Sequence, residues 1–149
     1  MSETVYVNAE NQILGRLASH VAKMLLNGYR VIIFNAEKAV LSGNKQRIIE
    51  KFKRRLARRT IKNPEKLGHR NPRTPDGILR RSIRGMLPYK KYRGRTAYKR
   101  LRVYCGQIEL PEKVKPIRFE DADLSRLGNG YVYLGEICKL FGWKGWALK

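Results

Sequence analysis

A chain of 149 residues, 42% of them hydrophobic, is sized for one domain spanning 1–149 and long enough to bury a real core. No stretch reaches the roughly eighteen consecutive apolar residues of a membrane-crossing helix, and "MSETVYVNAE" has no basic-then-apolar leader. The formal net charge of +21 excludes an inert neutral surface and calls for an acidic partner.

The predicted elements begin with "TVYVN" (4–8), a short strand rich in β-branched and aromatic residues. In "ILGRLASHVAKMLLNGY", Leu14, Leu17, Ala18, Val21, Ala22 and Leu25 fall on one helical face, and Gly28 follows as a left-handed cap. "RVIIFNA" (30–36) is a continuous apolar run suited to a covered parallel strand, which completes a βαβ unit. "AVLSG" (39–43) reads as a further short strand or an arm. Asn44 then caps a helix through "KQRIIEKFKRRLARRT", whose Ile48, Phe52 and Leu56 form a seam beside a cationic back.

"IKNPEKLGHRNPRTPDG" (61–77) holds three prolines and two glycines and reads as an extended loop. Thr74 before Pro75 marks the next helix start, with Leu79, Ile83, Met86 and Leu87 expected inward. Pro88 ends that helix, "YKKYRGRTAYKR" allows another short one, and "LRVYCG" (101–106) alternates as a strand. "PEKVKPIRFEDADLSRLGNG" reads as irregular surface, and "YVYLGEICKLFGW" as a terminal helix with Leu134, Ile137 and Phe141 on one face.

Catalytic and ligand-binding signatures are missing. The first βα turn, "NAENQILGR", has only Gly15 where a dinucleotide site needs three glycines, and "LSGNKQ" lacks phosphate-loop spacing. His20 and His69 have no carboxylate or second ligand near them in sequence, so His20 reads as a rim histidine and His69 as a phosphate or solvent contact. The Glu120, Asp121, Asp123 trio reads as solvated surface. Cys105 and Cys138 fit neither a disulfide framework nor a zinc spacing; they read as reduced thiols packed like small apolar residues, which points to the cytoplasm. No cofactor, metal or small-molecule substrate is expected.

The charge is concentrated. Residues 44–102 carry twenty-two bases and three acids, whereas 1–43 and 103–149 each net +1. Two like charges about 4 Å apart in water repel by about 1 kcal/mol, so such a segment needs a polyanion or wide spacing. Arginine outnumbers lysine from 54 onward, and its planar fork binds phosphate in bidentate fashion. Tyr89, Tyr92 and Tyr98 interleave with the cations and offer rings to unpaired bases, although Tyr98 reads equally well as core. This is the electrostatic footprint of nucleic-acid binding. No helix-turn-helix, zinc finger or basic zipper is present, and charge spread over several elements suits folded RNA better than a duplex groove. An anionic membrane surface fits poorly, because the basic helices lack an aromatic face and Trp143 and Trp146 lie near the C-terminus.

The residues expected at phosphate are Arg54, Arg55, Arg58 and Arg59 on the first basic helix, then Arg70 and Arg73 in the loop. Arg80, Arg81 and Arg84 follow on the next helix, and Lys90, Lys91, Arg93, Arg95, Lys99 and Arg100 beyond it. Tyr92 joins them as a stacking residue, and Gly85 and Gly94 as points of close backbone approach. Two rivals remain. An RNA-modifying enzyme on a doubly wound sheet needs the missing cofactor cradle, and a free regulatory RNA binder needs to sediment apart from ribosomes.

The stretch "IRGMLPYKKYRGRTAYKRLRVYCG" resembles the signature of large-subunit ribosomal protein thirteen, a universal family. Ile83-Arg84-Gly85-Met86-Leu87-Pro88 is similar to its core motif; Gly94-Arg95 and then Leu101, Val103, Tyr104 and Gly106 match at the right spacing. "ILGRLAS" and "VIIFNAEKAVLSGNK" are similar too, so the resemblance spans about 5–106 closely. It implies an α/β class fold, three-layer α/β/α around a four-stranded, mainly parallel sheet with a basic helical and loop extension. It also implies a non-catalytic constituent of the large ribosomal subunit in the cytoplasm, held by rRNA and neighbouring ribosomal proteins rather than by a second copy of itself. The arginine-rich loop and the absence of the His-Thr-Gly-Tyr stretch of bacterial members look like the archaeal and eukaryotic branch, and the compact length favours archaea.

Overall fold

The computed structural model describes residues 3–111, 114–128 and 130–145; Trp146 lies outside them. β1 (Thr4–Asn8), α1 (Leu14–Leu26) and β2 (Arg30–Phe34) form the expected βαβ unit. The six apolar positions read from the sequence of α1 are the six that are buried. Its C-terminus closes as a Schellman motif: Tyr29 N–H donates to Met24 O, Gly28 N–H donates to Leu25 O, and Gly28 sits at φ +103°.

A 3-10 turn (Ala36–Lys38) leads to β3 (Val40–Ser42). Then follow α2 (Lys45–Ala57), a single turn α3 (Pro64–Leu67) inside the proline-bearing loop, α4 (Pro75–Met86), α5 (Tyr92–Lys99) and β4 (Leu101–Val103). Two further 3-10 turns (Glu120–Ala122 and Leu124–Arg126) precede β5 (Tyr131–Tyr133) and α6 (Leu134–Leu140).

The sheet is parallel in the order β1-β2-β4. Its register aligns Val5, Val31 and Leu101 in one row and Val7, Ile33 and Val103 in another. These rows face the core that α1, α4 and α5 complete with Leu17, Val21, Leu79, Ile83 and Ala97, all fully buried. The row on the other face, Tyr6, Ile32 and Arg102, is half-buried to exposed.

Several expectations are corrected. Among the described residues the parallel sheet has three strands, not four, and its second face is not covered as a full third layer would cover it. A fourth line of chain makes one parallel bridge, Ile117 to Val7: Ile117 N–H donates to Tyr6 O at 2.8 Å and Asn8 N–H donates to Ile117 O at 3.1 Å. β3 does not join this sheet; it pairs antiparallel with β5. Residues 131–133 are therefore strand rather than helix. The Tyr-Val-Tyr alternation buries Val132 and sets Tyr131 edge-on to Tyr133 at 5.8 Å. Met86, expected inward, is 45% exposed, because the helix ends there and Leu87, in extended conformation, takes the inward place. Thr74 stands at the N-cap position of α4, but its hydroxyl makes no capping bond.

Candidate nucleic-acid interface

α2 starts cleanly. The Asn44 side chain accepts a hydrogen bond from Gln46 N–H at 2.9 Å. The apolar seam then runs through Ile48, Ile49, Phe52 and Leu56, yet no residue of this helix is buried. Phe52 meets Phe141 at 6.3 Å between ring centroids, and Arg55 lies over the Phe52 ring at 5.8 Å. Arg54 pairs with Glu50 one turn away at 3.5 Å, with both side chains mostly in solvent. Arg58 and Arg59 extend the exposed cations past the helix end.

Two hydrogen bonds hold the following loop between α2 and α4. Asn71 donates to Arg55 O at 2.6 Å, and Arg81 donates to Arg70 O at 2.8 Å. Arg70 in turn donates to Glu65 O at 2.9 Å. The result is a half-open groove of about 430 Å³ lined by Phe52, Leu56, Pro72 and Ile78, with Arg55, Arg58 and Arg81 also at its wall and Gly85 open at one end. The loop places His69 in this lining, beside the cations. Arg73 is exposed at the foot of α4.

Beyond the groove the side chains form a ladder. Arg80 lies over Tyr98 at 5.2 Å, Tyr98 meets Tyr89 edge-on at 5.5 Å, and Arg84 lies over Tyr89 at 4.0 Å. Stacking holds the two guanidinium groups in place before any ligand arrives. Tyr98 is half-buried against the core and Tyr89 half-buried against Tyr98, so of the three tyrosines only Tyr92, 81% exposed, stands free. Lys90, Lys91, Arg93, Arg95 and Lys99 are exposed around it, Arg95 donating to Lys90 O at 3.3 Å.

Two of the sequence-selected residues serve the fold itself. Gly94 is buried, and a Cβ there would run into the Pro88 carbonyl, so its close approach is to the chain's own backbone. Arg100 is half-buried and donates to Leu25 O at 2.6 Å, closing the carbonyl end of α1. Asn71 and Phe52 are the residues that sequence reasoning missed as shapers of the surface. An asparagine among prolines carries no local signal for a bond sixteen residues away.

Elsewhere the titratable groups are tied into structure. His20 stacks on Phe119 and shares a 2.7 Å hydrogen bond with Asp121, which holds the Asp121 carboxyl below its usual range. Ser125 does the same for Asp123. Burial pushes the Cys105 and Cys138 thiols up to about 12, which keeps both protonated and unreactive near neutral pH.

Of the twenty-two bases in 44–102, just two enter ion pairs among the described residues, Arg54 with Glu50 and Lys45 with Glu136 at 3.3 Å. The other twenty have no ion-pair partner among the described residues and sit on a packed α/β platform. That defines the class: a basic α/β protein made to meet a polyanion. Residues 2–109 match the family described as Ribosomal protein L13, and the chain belongs to that family, which is structural and non-enzymatic. It is 47% identical over 143 residues to the large ribosomal subunit protein uL13 of Sulfurisphaera tokodaii, covering 95% of this chain and 97% of that one. Identity to the uL13 of Saccharolobus solfataricus is 46%, over 96% of this chain and 95% of the relative. For Methanococcus maripaludis uL13 it is 46%, over 94% and 98%. These relatives are archaeal.

Proposed function

We propose that this chain is a structural constituent of the large ribosomal subunit that holds folded large-subunit rRNA against residues 44–102. The observation that carries the reading is the uncompensated charge: twenty-two bases, three acids and two ion pairs, in a chain of a ribosomal family. The exposed Arg54, Arg55, Arg58, Arg59, Arg70, Arg73 and Arg81 neutralise phosphates on one side of the segment. Lys90, Lys91, Arg93, Arg95 and Lys99 do so on the other. Arg80 and Arg84 meet phosphate from their tyrosine ladder, Tyr92 stacks on a base, and Gly85 admits the RNA backbone. Neighbouring large-subunit proteins are the remaining partners, and the particle places the chain in the cytoplasm.

The test is a salt titration of the full-length protein on purified large-subunit rRNA. Affinity falls by ~10³ or more between about 50 and 200 mM salt, as six to ten phosphate contacts require. A flat titration overturns the proposal. So does sedimentation of the native protein apart from the large subunit at moderate salt.

A further inference from the structure

The groove between α2 and α4 asks for more than phosphate. Three guanidinium groups line it, yet its floor is Phe52, Leu56, Pro72 and Ile78. A phosphate needs no apolar floor, and an apolar peptide needs no arginines. A nucleotide presents both chemistries at once, a flat apolar base and an anionic linkage. The volume of about 430 Å³ lies in the range, about 300–1,000 Å³, of sites that enclose small molecules. The walls are fixed in advance by the Asn71 and Arg81 hydrogen bonds to backbone. Polar groups remain for a base edge: the Asn71 carbonyl oxygen, His69, and the Ser82 hydroxyl, whose proton goes to Ile78 O at 2.9 Å.

We propose that this groove receives one unpaired rRNA nucleotide, its base against Phe52 and the apolar floor and its phosphates on Arg55, Arg58 and Arg81. Folded RNA offers such residues in loops and bulges, where splayed bases stack on aromatic rings and guanidinium planes. Phe52 turns toward Phe141 on one side, while Arg55, at the end of a flexible side chain 5.8 Å from the ring, is free to rise and cover the base. The half-buried seam of α2, covered in part by Phe141 and the core, thereby gains a further partner.

This rests on the rRNA-binding reading, and the experiment separates the two. Binding of full-length wild type, F52A, F52L and F52Y to purified large-subunit rRNA is measured across salt, with circular dichroism confirming the fold. F52A and F52L lose about 10-fold or more in affinity, the order of one lost base–aromatic stack, with the salt slope unchanged. F52Y retains affinity. R55A, R58A and R81A each lower the slope by about one. One nucleotide that is protected from base-specific chemical probing in the wild-type complex becomes reactive with F52A. Wild-type binding that is salt-dependent but indifferent to F52A and F52L overturns the nucleotide site and leaves the rRNA reading standing. A variant that binds rRNA normally but is excluded from assembled subunits assigns the groove to a protein neighbour, and that also overturns it. Absence of salt-dependent binding by wild type brings down the parent reading instead.

Discussion

Two helices of thirteen residues, Leu14–Leu26 and Lys45–Ala57, carry comparable apolar stripes and meet opposite fates. In α1 six stripe residues are buried against the sheet and α4; in α2 none is buried. Amphipathic spacing fixes that a helix has a greasy side, but the partner decides what it becomes. The partner of α1 lies within the chain. The seam of α2 lies beside the groove, among cations of which only Lys45 and Arg54 meet an acid among the described residues. The same contrast runs through the charges. Outside 44–102 carboxylates have specific tasks, as when Glu37 accepts from Gly106 N–H at 2.8 Å and Glu10 from Lys38 at 2.7 Å. Inside it, cations outnumber acids twenty-two to three.

Substitutions of the two stripes break this comparison most directly. Leu17→Ala removes a fully buried side chain and costs ~2–5 kcal/mol by denaturant unfolding. Leu56→Ala, on half-exposed α2, costs no more than about 1 kcal/mol while weakening rRNA binding. Equal losses of stability place α2 in the core and sink the contrast. Gly94→Ala tests whether the basic segment is anchored as firmly as the platform. The added methyl meets the Pro88 carbonyl, and relieving that overlap costs ~1–3 kcal/mol, read as a lower unfolding midpoint. Arg84→Lys is finer: it keeps the charge and the salt slope, but loses the planar stack on Tyr89, lowering rRNA affinity by roughly 0.5–1 kcal/mol.

What was legible in the sequence follows the same division. The α1 stripe, β1 and β2 could be read because their period and their partners are local or generic. The role proposed for 44–102 rests on net charge, a sum that no tertiary contact alters. Assignments that depended on distant partners were not legible. β3 was placed, but nothing in "AVLSG" says that it pairs with Tyr131–Tyr133 instead of the parallel sheet. His20 lacked a carboxylate nearby in sequence and found Asp121 a hundred and one residues away. Arg100 looked like one more cation for phosphate until the fold set it on Leu25 O. Gly94 looked open, and Pro88 fills the space in front of it. Composition singles out the basic segment, and packing decides which of its members serve the fold.

The smallest effect separates the two regions by pH. On the platform, the Lys38 hydrogen bond at 2.7 Å holds the Glu10 carboxyl below its ordinary range, and Lys38 is raised in turn. A depressed carboxyl favours the fold at pH above the unfolded glutamate range, and the contribution disappears as pH falls through the lower, folded value. Both side chains are substantially in solvent, 50% for Lys38 and 35% for Glu10, so screening limits the pair to under ~1 kcal/mol. Glu10→Gln should therefore lower stability slightly at neutral pH, and its curve should meet the wild type in acid once Glu10 is protonated. Its rRNA affinity and salt slope should match the wild type, because Glu10 belongs to the region whose charges are already answered. A Glu10→Gln protein with altered rRNA affinity would show that the platform reaches the RNA after all, and the boundary between the two regions would have to move.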